Sequence, residues 1–208
     1  MTSSSEFNLE ALVREQFGRD IRLARTALTE TQERSEESIL AGCLAIASTL
    51  ASGHRLLICG NGGSAADSQH IAAELVSSFG IGLKRRALSA IALTTDSSIL
   101  TAYSNDFGFD EVFARQVEAH GTAGDCLLAI STSGNSVNVN EAVRVAKRLG
   151  MLSVALTGAN DSLLSRSADI CIQVQSTNTQ IVQTVHLVVE HLICFSAEQL
   201  AIHTEPSE

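Results

Sequence analysis

The chain has 208 residues, 45% of them hydrophobic, enough to bury a sizeable core within one domain. Its formal charge of -9, with the basic residues scattered, argues against nucleic acid as a general partner, so an anionic ligand has to find local complementarity. No stretch reaches the ~18 to 20 uninterrupted apolar residues of a membrane span, and the opening MTSSSEFNLEALVREQF lacks the basic and apolar regions of a signal peptide, which predicts a cytoplasmic protein with no membrane partner.

In chain order, the Ser-rich first six residues are expected to fray. They precede two stretches with apolar residues three and four apart, LEALVREQFGRDIRLARTALTE and EESILAGCLAIASTLA, which predict two amphipathic helices between Leu9 and Ala51. Short apolar runs then alternate with helical patterns. The runs are RLLIC at 55–59, LSAIAL at 88–93, CLLAI at 126–130, LSVAL at 152–156 and ICIQV at 170–174, each followed by a turn signal, as in a buried parallel sheet. Helices are expected at about 64–78, 109–120, 136–149 and 160–166, with a closing helix over about 178–200 and a frayed polar tail from His203. The pattern predicts a single α/β domain, a three-layer α/β/α sandwich around a five-stranded parallel sheet. Cys43, Cys59, Cys126, Cys171 and Cys194 lie far apart, mostly in apolar stretches and without a C-x-x-C pair, and read as reduced core residues.

In such a sheet, ligands gather beyond the carboxyl ends of the strands. The first strand ends in Gly60-Asn61-Gly62-Gly63-Ser64 and enters a helix, so backbone can approach a ligand and unpaired N–H groups face an anion. The third ends in Ser131-Thr132-Ser133-Gly134-Asn135-Ser136, where four hydroxyls around one glycine suit a phosphate monoester. The plainer alternatives are a strand-to-helix turn for the first loop and helix capping for the second, although capping needs one hydroxyl and not four. GNGGSA also satisfies a loose dinucleotide fingerprint, but the acidic residue expected about twenty positions on is replaced by Lys84-Arg85-Arg86, and Asp96 comes too late. No lysine follows the glycines, which excludes a P-loop.

His70 and Glu74 stand four apart on one face of the helix after the first loop, the spacing of two metal ligands and equally of an ordinary surface pair. The last helix carries Gln183, His186, Glu190 and His191 in apolar surroundings, where polar groups are costly unless they find partners. Gln183 and His191 are eight residues apart, ~12 Å along a helix, so both reach one ion only with extended side chains or from different subunits. His186 lies between them as a support.

Together CGNGGSAADSQHIAAEL, AIALTTDSSILTAYSNDFGFDEVFARQVEA, ISTSGNSVNV and QTVHLVVEH resemble the sedoheptulose 7-phosphate (phosphoheptose) isomerases of the sugar isomerase (SIS) superfamily, over about residues 35–198. The resemblance implies a flavodoxin-like sandwich, a homotetramer with sites near subunit interfaces, and conversion of D-sedoheptulose 7-phosphate to D-glycero-D-manno-heptose 7-phosphate, the first step toward nucleotide-activated heptose. It further implies that Asn61, Gly62, Gly63, Asn105 and Asp106 contact the sugar, with Glu74 and Gln183 also at the substrate, and that Ser131, Thr132, Ser133 and Ser136 hold the phosphate. One Zn²⁺ per subunit is implied at His70, Glu74, Gln183 and His191, with Glu74 and His191 also the acid and base. Two departures stand out: Ile181 replaces an arginine of many relatives, and the stretch from Ser78 to Ala87 is slightly longer than in some. A non-catalytic relative binding a sugar phosphate or a replication-initiator-type protein is the alternative. A sugar-responsive transcription factor would need a basic helix-turn-helix extension, which is missing from the sequence.

Overall fold

The structure, a computed structural model, describes residues 7–80 and 85–204. The five apolar runs form β1 (Leu56–Gly60), β2 (Ala90–Ala92), β3 (Cys126–Ile130), β4 (Leu152–Thr157) and β5 (Ile170–Gln173). They pair in parallel in the order β2-β1-β3-β4-β5. β1 and β3 are buried along their whole length, which is why they read as continuous apolar runs.

Alternate side chains of these strands enter opposite layers. Leu56, Ile58, Leu128, Ile130, Val154 and Leu156 face α1 (Leu9–Ala51), α2 (Gly63–Val76) and α7 (Thr179–Thr204). Leu57, Cys59, Leu127, Ala129 and Ala155 face α4 (Val112–His120), α5 (Val137–Arg148) and α6 (Leu163–Ser167). The result is the expected α/β/α sandwich. Successive connections from β1 lead to opposite sides, so the loops after β1 and β3 flank the point where strand order reverses, the place such sheets offer to ligands. All five cysteines are free, four of them buried and Cys171 partly so.

Four expectations are corrected. The two N-terminal helices are one helix of 43 residues, α1. The polar segment around Thr31–Ser35 suggested a break, but both residues are buried and bond to the far edge of the sheet: Ser35 Oγ donates to Gln173 O at 2.7 Å, and Thr31 Oγ1 accepts from Gln175 N at 3.0 Å. With no glycine or proline there, nothing interrupts the helix. A further helix, α3 (Ser97–Phe107), follows β2, capped by Asp96, whose Oδ1 accepts from Ile99 N. β2 is shorter than its apolar run, three residues in place of six. Finally, α7 continues to Thr204, because His203 Nδ1 lies 2.7 Å from Gln199 O and Thr204 Oγ1 donates to Leu200 O, which ties the last turn down.

By length and hydropathy α7 could cross a membrane, but half of its most apolar window is buried and it carries His186, Glu190 and Glu198 inside the protein. It is the core helix of one layer. The expectations for residues 1–6, for the tail beyond 204 and for residues 81–84 within the Ser78–Ala87 stretch lie outside the described residues.

Candidate active site

Two loops and two helices build the site. After β1 the chain turns through Asn61 and Gly62, whose φ of +58° suits glycine, and starts α2 at Gly63. After β3 the serine loop folds inward. Ser131 Oγ lies 3.1 Å from Ser136 Oγ and 3.5 Å from Ser133 Oγ, and Gly134 N donates to Ser131 Oγ. Ser136 occupies the N-cap position of α5 yet makes no side-chain capping bond, so its hydroxyl is turned to the other serines and not spent on the helix. Gly134 has a φ of +66°, and a Cβ there would stand 2.0 Å from Ser162 Oγ, so the tight loop depends on glycine. Asn61 and Asn138 join the two loops by a reciprocal amide pair at 2.8 and 2.9 Å.

The ionisable residues meet between α2 and α7, which lie side by side. Each follows a strand of the parallel sheet, so they run in the same direction. His70 Nε2 and His191 Nε2 are 3.0 Å apart with the rings edge to face, and Glu74 Oε1 lies 3.9 Å from His70 Nε2. At 3.0 Å, either one ring nitrogen donates to the other or a shared ligand sits between them. Gln183 sits just over two turns before His191 on α7, against the start of α2. A Cβ on Gly63 would be 2.1 Å from Gln183 Nε2. Gln183 makes no hydrogen bond to His70, Glu74 or His191, and among the described residues no group of three His, Cys, Asp or Glu side chains is arranged to hold a metal ion.

His186 is fully buried with Nε2 3.2 Å from Thr157 O, at the end of β4, so it supports that strand end and not the His70–His191 pair. Asn105 and Asp106 end up exposed on the last turn of α3, bonded to each other and not joined to the loops or to the histidines.

Several residues at the site carried no assigned role in the sequence reading. Glu190 is buried with neither carboxyl oxygen partnered; burial, then the nearby Asp67 carboxylate, pushes its pKa up to about 8, so it holds its proton at neutral pH. Asp67 Oδ2 is also buried without a partner, and burial raises this carboxyl against the opposing pull of His70. Phe79 packs its ring 5.7 Å from that of His191. Arg85 donates to Glu74 O at 3.0 Å and forms a buried ion pair with Glu198. An ion pair 113 residues apart in sequence leaves no periodic signal; only an apolar helix carrying an unexplained glutamate hinted at it.

Residues 21–158 match the SIS domain family. The chain is 50% identical to the phosphoheptose isomerase of Roseiflexus sp. (strain RS-1) over 169 residues, 81% of this chain and 85% of that one. It is 47% identical to the phosphoheptose isomerase of Bradyrhizobium sp. (strain BTAi1) over 180 residues, 85% and 90% of the two chains. The solved phosphoheptose isomerase of Francisella tularensis superposes with a TM-score of 0.84 at 35% identity, covering 93% of this chain and all of that one. That of Neisseria gonorrhoeae gives 0.81 at 39% identity, covering 92% of this chain and all of its own. By sequence over most of its length and by fold, this chain belongs to the SIS domain family and, within it, to the phosphoheptose isomerases.

Proposed function

We infer that the protein is an aldose-ketose isomerase that converts D-sedoheptulose 7-phosphate into D-glycero-D-manno-heptose 7-phosphate, the entry to nucleotide-activated heptose. The observation that carries this is one arrangement: serine hydroxyls released from capping at the start of α5, set across the paired Asn61 and Asn138 from the His70–Glu74–His191 group. The first part suits a phosphate monoester and the second suits proton transfer.

Ser131, Thr132, Ser133 and Ser136 take the phosphate, with the N–H groups of the α5 start behind them. Asn61, Gly62 and Gly63 line the sugar. Glu74 removes the proton from C1 of the ketose; the electron pair moves into the C1–C2 bond and the C2 carbonyl oxygen becomes an enediolate oxygen, protonated by His191. Glu74 then returns its proton to C2 while the now neutral His191 takes the O1 proton, which gives the C1 aldehyde and restores both residues. Phe79 against His191 restricts water at that imidazole.

The imidazole pair also fits a divalent metal. Two ring nitrogens on one tetrahedral zinc stand about 3.3 Å apart, close to the 3.0 Å between His70 and His191. His70, Glu74 and His191 would hold Zn²⁺, and Gln183 would join them after its amide swings from Gly63. With its Nε2 on the ion, His191 could not protonate O2, so the ion itself would polarise the carbonyl and stabilise the enediolate there. Asn105 and Asp106 serve a neighbouring subunit's site in a homotetramer, for which the exposed apolar faces of α1 and α7 supply the surface. The whole chain acts as one SIS domain in the cytoplasm.

The test is turnover of D-sedoheptulose 7-phosphate followed by mass-resolved detection of the aldose. Removing a general base costs about 10² to 10⁴, so Glu74→Gln is expected to lose at least about a hundredfold in kcat. His191→Ala should lose turnover as well, and chelation should lower the wild-type rate until zinc is returned. Wild-type protein that binds the substrate but does not turn it over, with or without zinc, would overturn the assignment.

A further inference from the structure

Glu198 is seven residues beyond His191 on α7, two turns along the same face, and is almost completely buried. Its carboxylate accepts from Phe79 N at 3.0 Å, from Gly80 N at 2.9 Å and from Arg85 Nε at 3.1 Å, with Ser78 Oγ at 3.3 Å. Arg85, whose side chain is 1% exposed, makes three further bonds to main chain: Nη1 to Leu75 O and Arg86 O, and Nη2 to Glu74 O. Leu75 and Glu74 belong to the last turn of α2, where carbonyls lack partners within the helix, so the guanidinium caps that end and sits at the negative pole of the helix dipole.

The consequence falls on the two proton-transfer residues. Glu74 lies on the turn that Arg85 caps, so fraying of that turn would swing its carboxylate. Phe79, whose N–H is held by Glu198, lays its ring on His191. One buried ion pair therefore fixes the base through its main chain and the acid through its aromatic neighbour. Such burial of two charges is costly unless every donor and acceptor is used, and here the pair is surrounded by main-chain partners.

We propose that Glu198 and Arg85 are positioning residues, a clamp that sets Glu74 and His191 at their working separation; this rests on the isomerase reading of the site. Misplacement of a catalytic group by about 1 Å can cost about a hundredfold in rate. The test compares wild type, Glu198→Gln and Arg85→Lys as full-length protein, at a temperature where circular dichroism shows each folded. The expected result is a kcat lowered by roughly 10- to 100-fold with KM within about threefold, together with changed His191 imidazole resonances and faster amide exchange at Glu74, Leu75, Phe79 and Gly80. If Glu198→Gln does not fold, Arg85→Lys, which keeps the charge but loses the planar fork, decides. A kcat within about twofold of wild type, or one reduced only in proportion to unfolded protein, overturns the proposal. Wild type without turnover would sink the isomerase assignment instead. The clamp would then be judged by the resonances and exchange rates alone, and their constancy in the variants would overturn it.

Discussion

At the scale of the residue, His186 shows how position overrides type. The pattern of the last helix places it between Gln183 and His191 as a support for a metal, but the fold gives it no exposed surface and points Nε2 at Thr157 O. Burial is the dominant influence and drives its pKa down to about 4 from 6.5, against a weaker opposing effect of that hydrogen bond. The folded state therefore binds fewer protons than the unfolded state between pH 6.5 and 4. The contribution is fully present above 6.5 and is lost as pH falls toward 4, with a total of about 3 kcal/mol and about 2 kcal/mol already gone at pH 5. In a chain of this length that is roughly 4 to 8 °C in Tm. His186→Gln keeps a donor for Thr157 O but does not titrate. Between pH 7.5 and 5 its Tm is expected to fall less than that of the wild type by about this amount; parallel melting curves would show that other groups govern the acid limb.

At the scale of the element, the strands and the first helix of the candidate site were legible because their signals are local. Buried parallel strands show as apolar runs, the serine loop as a cluster of hydroxyls, and His70 and Glu74 as an i, i+4 pair. What was not legible depends on distant partners. Thr31 and Ser35 looked like a break in α1 until β5 gave them bonds, α3 was hidden behind Asp96, weighed as a ribose ligand and not as a cap, and Arg85 meets Glu198 only in the folded chain. The close packing of α2 on α7 gives a prediction of its own at Gly63. Its φ is ordinary, and alanine favours a helix, but the added methyl would meet Gln183 Nε2 at 2.1 Å. A side-chain end can move, so Gly63→Ala should displace the Gln183 amide, leaving Tm within about 2 °C and lowering turnover by at least about tenfold. Gly60→Ala is the contrast: its methyl would press on the Ser64 main chain at 2.8 Å, which cannot step aside, so folding should suffer first. Unchanged turnover in Gly63→Ala would show that Gln183 is not needed in its place against Gly63.

At the scale of the whole molecule, the dominant feature is apolar surface that the chain leaves uncovered. On α1, Leu9, Leu12, Val13, Phe17 and Ile21 recur at helical spacing and are exposed, and Leu40 and Leu44 continue outward-facing apolar surface further along. On α7, Val188, Leu192 and Phe195 do the same, and between the two helices lies a groove of about 380 Å³ lined by Leu28, Ile39, Leu40, Val188 and Leu192. We propose that an assembly covers this surface, because a monomer rarely leaves so much apolar surface to water. A closed assembly also accounts for Asn105 and Asp106, which are exposed and joined to nothing at their own chain's site. Light scattering at micromolar concentration should therefore give about four times the 22.0 kDa of one chain. Leu44 is 63% exposed, so Leu44→Glu costs the single chain little, while within an interface it buries an unpaired charge. The variant is expected to run as a smaller species with unchanged helix content by circular dichroism. If sites are completed across subunits, its turnover should fall with its mass and recover as protein concentration is raised. Wild type at the mass of one chain would remove the assembly; a dissociated variant with full turnover would leave it standing but place every catalytic group within one subunit.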